Sequence, residues 1–208
     1  DDAKETATSL TGTGGGASKK SFLFAAVCAA GVAFVPFLRL CLNGQSLYFR
    51  DLSVYFFPLR RFLLEGLAQG ELRFWNPFAH EGEPIGLSAF GYLPDLLQLL
   101  LPNEFGMSVL PVLHVSFAAF GFVWLGRELG VRPLAAVAGA VVYSLGGFAL
   151  STLNLYVYVL ALAWAPFFIL GFRRGVRMGG PRPFALAALA LGMMISTAGL
   201  EIALQACL

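Results

Sequence analysis

Apolar residues run along this chain in long blocks with short polar punctuation between them, and one polar interruption is far longer than the rest. A helix that crosses a bilayer needs about 20 mostly apolar residues. Five blocks fit that requirement: 21–42, 107–125, 133–153, 156–172 and 183–208. The first contains Pro36, a predicted kink. The fourth is short, and the fifth is still apolar at Leu208, which reads as the N-terminal part of a longer membrane protein. Between the first and second blocks lies the long interruption, residues 43–106.

Two pieces of that interruption have helical character of their own. Residues 54–69 set Phe56, Phe57, Leu59, Phe62, Leu63 and Leu67 around a helix, with Arg60, Arg61 and Glu65 elsewhere on it. This predicts an amphipathic helix lying at the membrane surface and ending at Gly66 or Gly70. Residues 93–101 are too short to span and are fenced by Pro94 and Pro102, which predicts a second interfacial or re-entrant helix. Trp75-Asn76-Pro77 and Gly82-Glu83-Pro84 read as turns between them. Within the spans, Gly139, Gly146 and Gly147 are predicted to let helices pack closely.

Composition fixes the class. Apolar residues make up 58% of the chain and charged residues 12%, with a mean hydropathy of +0.74. A soluble domain carries about 25% charge, so lipid must cover part of this surface, and the bilayer is the first predicted partner. A net charge of +2 with no basic–aromatic groove excludes a nucleic-acid partner. Cys28, Cys41 and Cys207 sit in or beside apolar blocks without metal spacing and read as membrane thiols. Residues 1–20, rich in Gly, Ser and Thr, form a predicted disordered tail.

Basic residues set the orientation. Lys19 and Lys20 precede the first block, Arg127 and Arg132 flank the turn between the second and third, and Arg173, Arg174, Arg177 and Arg182 fill the connection to the fifth. A cytoplasmic N-terminus puts all three groups inside and the 43–106 loop outside. Arg39, near the outer end of the first block, departs from the pattern and is expected to snorkel to the interface.

Asp51 is the first candidate for chemistry. It follows the first block by about nine residues, close to the outer surface, where a carboxylate serves as a general base or holds a divalent cation against a phosphate. The plain alternative is a surface acid capping the helix that begins near Ser53. Glu201 is the second. On a straight helix from Pro183 it stands ~27 Å up, at ~1.5 Å per residue, on the same side as Asp51; otherwise it has merely reached the headgroups. Arg60 and Arg61 suit a phosphate or form the solvated face of their helix. His80, Glu81 and Glu83 match no metal motif. His114 lies inside the second block, where an ionisable residue is a functional candidate or a neutral partner for a neighbouring helix.

The order RDLSVYFFPLRRFLLEG, FWNPFAHEGEPIG, YLPDLLQLLLP, then GRELGVRPLAAVAGAVVYSLGGF, LALAWAPFFILGFRR and STAGLEIALQA resembles the bacterial YfhO-like membrane proteins, relatives of the GT-C glycosyltransferases. The likeness runs from about residue 21 to the end. It implies an all-α, polytopic, GT-C-like bundle in the bacterial inner membrane that moves a sugar from a polyprenyl-phosphate carrier to an acceptor on the outer face. It also implies Asp51 as the catalytic acid with Glu201 in support, and Arg50, Tyr55, Arg60, Arg61, Trp75, Asn76 and His80 around the substrate. A divalent metal at Asp51 is the one cofactor role left open. Two departures stand out: Leu200, with no His nearby, precedes Glu201, and Leu87-Ser88-Ala89-Phe90 replaces a polar run. They leave room for a non-catalytic GT-C-like subunit that packs with other membrane subunits. A transporter is the weaker rival, because apart from His114 the spans carry no mid-membrane charge.

Overall fold

The computed structural model describes residues 18–79, 81–85, 92–101 and 103–208. It is an all-α bundle in which, among the described residues, four segments are long and apolar enough to cross a membrane: Lys19–Leu42, Phe105–Glu128, Pro133–Asn154 and Tyr156–Met178.

The first is α1 (Lys19–Phe34), capped by the Ser18 hydroxyl, which accepts from the Ser21 N–H at 3.2 Å. Pro36 cannot donate to the helix, so the backbone tightens into a 3-10 turn at Val35–Phe37 before α2 (Leu38–Leu42) resumes. Here the predicted kink is present. The loop supplies α3 (Phe57–Ala68) and two paired dipeptides, β1 (Trp75–Asn76) and β2 (Glu83–Pro84). It closes with a 3-10 helix at Leu93–Leu100. Then follow α4 (Asn103–Glu128), α5 (Pro133–Leu145), α6 (Gly147–Ser151), α7 (Tyr156–Met178), α8 (Pro181–Ser196) and α9 (Leu200–Cys207).

The fifth block differs from expectation. It is not one helix: α8 stops at Ser196, Ala198 takes a φ of 65°, and α9 begins a new helix at Leu200. The Thr197 hydroxyl donates to the Met194 carbonyl at 2.8 Å and accepts from the Gly199 N–H at 3.2 Å, so a side chain takes over where the ladder is broken. Glu201 therefore does not stand at the top of a straight span. Gly146 and Gly147 also differ from their predicted role. Gly146 adopts an extended conformation that separates α5 from α6, and a side chain at Gly147 would meet open space. Gly139 does give close packing, against the Phe122 ring.

The middle of the bundle is α4 and α7. Within their apolar windows 61% and 56% of residues are buried, against 33% for the first span and 22% for the third, so the latter two face outward. One core layer joins α1, α4 and α5 through small residues, among them Ala26, Ala29, Ala33, Ala136 and Ala140. Small side chains let these backbones approach and gain dispersion contacts that lipid does not supply. A second layer joins α7, α8 and α9 around Ala161, Ala187, Ala190 and Met194. Cys28 and Cys41 are half-buried and Cys207 is exposed.

The backbones of α7 and α8 come close at Gly171, where an added Cβ would sit 2.7 Å from the Ala187 nitrogen and 2.9 Å from the Pro183 carbonyl. Both neighbours are backbone, so the helices themselves must part. Gly171→Ala is expected to destabilise the bundle by about 1–3 kcal/mol, the usual range for overpacking. Gly147→Ala should leave the unfolding midpoint near wild type. Thermal unfolding in one detergent reads both, and equal midpoints for the two variants would show that α7 and α8 are not packed this tightly.

Chain direction places the basic groups together. The Arg127 guanidinium lies 5.8 Å over the Phe22 ring, and Glu128 accepts from Arg174 at 2.6 Å and from Arg177 at 3.3 Å. The start of α1 and the ends of α4 and α7 thus share one end of the bundle. The 43–106 loop begins and ends at the other.

Candidate functional site

The loop reaches the bundle through a distorted helix start. Arg50 adopts a φ of 48°, and a π-helical turn at Leu52–Phe56 leads into α3. The cause is Pro58, whose ring would press on the Val54 carbonyl in a regular helix; the wider turn relieves that clash. Asp51 occupies the cap position, but its side chain makes no capping bond. Ser53 holds the turn instead, its hydroxyl donating to the Arg50 carbonyl at 2.8 Å. Asp51 is half-buried, and among the described residues no hydrogen bond or ion pair holds its carboxylate. The capping alternative is thereby set aside.

Three side chains from the loop and one from α7 form a buried polar knot beside it. Arg60 of α3 pairs with Oδ2 of Asp95, and its guanidinium lies 5.5 Å over the Tyr156 ring. The Tyr156 hydroxyl donates to Asp95 Oδ1 at 2.7 Å, and Gln98 Nε2 donates to the same oxygen at 3.1 Å. Gln98 is 1% exposed, and its Oε1 has no hydrogen-bond partner among the described residues. Burial pushes the Asp95 carboxyl above the usual carboxylate range, while Arg60 and the Tyr156 hydroxyl act against that shift by favouring the anion. A buried carboxylate persists in such a place only with partners of this kind.

A second set of bonds extends the knot into the spans. Trp164 Nε1 donates to the Tyr92 hydroxyl at 2.9 Å, and Tyr92 bonds His114 Nε2. His114 Nδ1 meets the Leu110 carbonyl at 2.7 Å. A carbonyl only accepts, so the proton sits on Nδ1 and Nε2 accepts from Tyr92. His114 thus bonds the loop rather than a neighbouring span. Leu52, Phe57, Tyr92, Met107, Leu110 and Leu160 close the apolar side.

Above the knot lies a cavity of ~310 Å³. Tyr55, Leu59 and Arg60 form one wall, Glu83 and Ile85 another, and Val157 with Thr197 and Ala198 the third. The loop and the break between α8 and α9 therefore bound the same space. Burial and the nearby Glu83 carboxylate raise the pKa of the Tyr55 phenol. The lining is apolar with one cationic and one anionic side chain, which suits an amphiphile carrying a polar head.

The other sequence candidates divide as follows. Arg50 is exposed. Arg61 is exposed and pairs with Glu65 one turn on, at 2.9 Å. Trp75 pairs with Pro84 across the β1–β2 ladder, and a Cβ on Gly82 would strike its ring at 2.5 Å. The two turn signals thus pack into one small ribbon. Asn76 is buried, its Oδ1 accepting from the Phe78 N–H at 3.0 Å, a loop-shaping role. Glu201 is exposed in the first turn of α9 and interacts with Tyr158. Asp51 and Glu201 belong to different elements, and neither lines the cavity. His80 and the Leu87–Phe90 run lie outside the described residues. Among the described residues no group of three His, Cys, Asp or Glu side chains is placed to hold a metal ion.

Asp95, Gln98, Tyr92 and Tyr156 were not singled out from sequence. Asp95 looks like a helix-start acid behind Pro94, and Tyr156 like an interfacial aromatic; only their convergence across about 60 residues gives them a role. The site rests on this geometry alone, because no family model, curated protein or solved structure matches the chain.

Proposed function

We propose that this chain is an integral-membrane glycosyltransferase of the GT-C type, carrying a sugar from a polyprenyl-phosphate donor to an acceptor at the outer face of the bacterial inner membrane. Asp51 acts as the general base toward the acceptor hydroxyl. Its proton acceptance turns the hydroxyl into the nucleophile as the carrier phosphate leaves the sugar carbon. The observation that carries the reading is the cavity at the loop end of the bundle, with the Asp51 carboxylate, which has no partner among the described residues, one turn before its Tyr55 wall. An interfacial cavity meets a lipid-linked donor at the depth of its phosphate. A divalent cation, if used, would rest on Asp51 and the donor phosphate together.

The test is transfer of a labelled sugar from synthetic polyprenyl-phosphate donors by the purified protein in liposomes. Product from at least one donor supports the reading, and no product from any donor class removes it. One observation favours a second reading, a structural subunit with the same fold. Arg60 and Arg61, the side chains suited to a carrier phosphate, are engaged by Asp95 and Glu65. In that case the protein co-purifies with other membrane proteins and no donor is consumed.

Topology gives a separate check. Phe78 and Met178 are 84% and 77% exposed, at opposite ends of the bundle. In a chain lacking its native cysteines, Phe78→Cys is expected to react with an impermeant thiol reagent in intact cells and Met178→Cys only after lysis. The reverse pattern would place the cavity in the cytoplasm and contradict an outer-face donor.

A further inference from the structure

We infer that the bundle end opposite the cavity is a docking surface for anionic membrane lipid, formed by cations from the start of α1 and from two helix connections. Lys19 and Lys20 open α1, Arg132 closes the α4–α5 turn, Arg173 stands in the last turns of α7, and Arg182 begins α8. The Arg127–Phe22 and Arg174–Glu128 contacts fix these elements side by side. Glu128 is the one carboxylate at this end among the described residues, and Arg174 and Arg177 already occupy both of its oxygens. The remaining five cations are exposed, and none has a carboxylate partner among the described residues.

Their position selects the ligand. All five lie in the terminal turns of helices or in the tight connections between them, and three of those helices are long enough to span. In a bilayer this is headgroup depth, where the ligand with matching charge and the highest local concentration is a phosphate diester on a lipid. A soluble phosphate would need an enclosing pocket, whereas these side chains spread across the width of α1, α5, α7 and α8. Gly130, Gly179 and Gly180 take positive φ values, keeping the turns short and the cations close to the membrane plane. This inference is independent of the catalytic reading and concerns the other face.

Spin-labelled phosphatidylglycerol and phosphatidylcholine, each at trace level in phosphatidylcholine bilayers holding the full chain, measure the preference directly. Wild type is expected to favour phosphatidylglycerol about fivefold, the weight of roughly one cation engaged at an anionic surface. Arg132→Gln with Arg173→Gln and Arg182→Gln should bring the ratio near unity, with the unfolding midpoint unchanged because all three side chains are exposed. Arg39→Gln, exposed at the opposite end, should keep the preference. A wild-type ratio near unity overturns the inference. So does an equal loss in Arg39→Gln, which would make net charge the cause. Displacement of the labelled lipid by inorganic phosphate would assign the surface to a soluble anion and overturn it as well.

Discussion

Asp51→Asn is expected to lower sugar transfer by about 10²–10⁴-fold, the usual contribution of a positioned general base. The amide keeps the size of the side chain and removes only its charge and basicity. Folding should hardly respond, because the carboxylate makes no capping bond, and Ser53 secures the turn. Comparing kcat with the unfolding midpoint separates the two readings of this residue. A large loss of kcat at an unchanged midpoint is the catalytic outcome. Unchanged transfer removes Asp51 from the mechanism and leaves the acid of another element to be found.

Asp95→Ala should show the opposite signature, a large loss of stability. The substitution leaves Arg60 without its buried carboxylate partner and takes an acceptor from both Tyr156 and Gln98. Removing one member of a buried ion pair costs about 3–5 kcal/mol, or roughly 10 °C in the unfolding midpoint for a chain of this size. Desolvation makes the intact pair itself worth much less than that. Arg60→Met combined with Asp95→Leu is therefore expected to regain a substantial part of the loss, since neither charge then remains buried. A stability for Asp95→Ala within about 1 kcal/mol of wild type would mean that water reaches the knot and the loop is not sealed onto the bundle.

The sequence made the spans legible because period and length carry that information locally. Blocks of apolar residues, Pro36 and the amphipathic pattern around Phe57–Ala68 all appear where the pattern puts them. The break in the fifth block was hidden, since Ser196-Thr197-Ala198-Gly199 is short and weakly polar; what defines it is a φ of 65° at Ala198 and a hydroxyl that replaces lost backbone bonds. Of the candidate site, Arg60 was singled out on its amphipathic helix and Tyr55 through the family resemblance, and both line the cavity. Asp95 and Tyr156 escaped because each is unremarkable in its own segment, and their meaning comes from a contact between distant parts of the chain. Asn76 shows a structural bond that its segment alone does not reveal. A polar side chain in a turn reads as a ligand contact until its acceptor is seen bonded to the backbone two residues on.

The most direct test of the central claim is photo-crosslinking with a polyprenyl-phosphate sugar that carries a diazirine on its first isoprene unit, followed by peptide mapping. If the cavity holds the donor, label should concentrate on the Tyr55–Leu63 stretch and around Val157 and Thr197, and unlabelled donor should compete it away. Label spread evenly over the exposed sides of α1 and α5, or gathered at the basic end near Arg132 and Arg173, would contradict a donor site beneath the 43–106 loop.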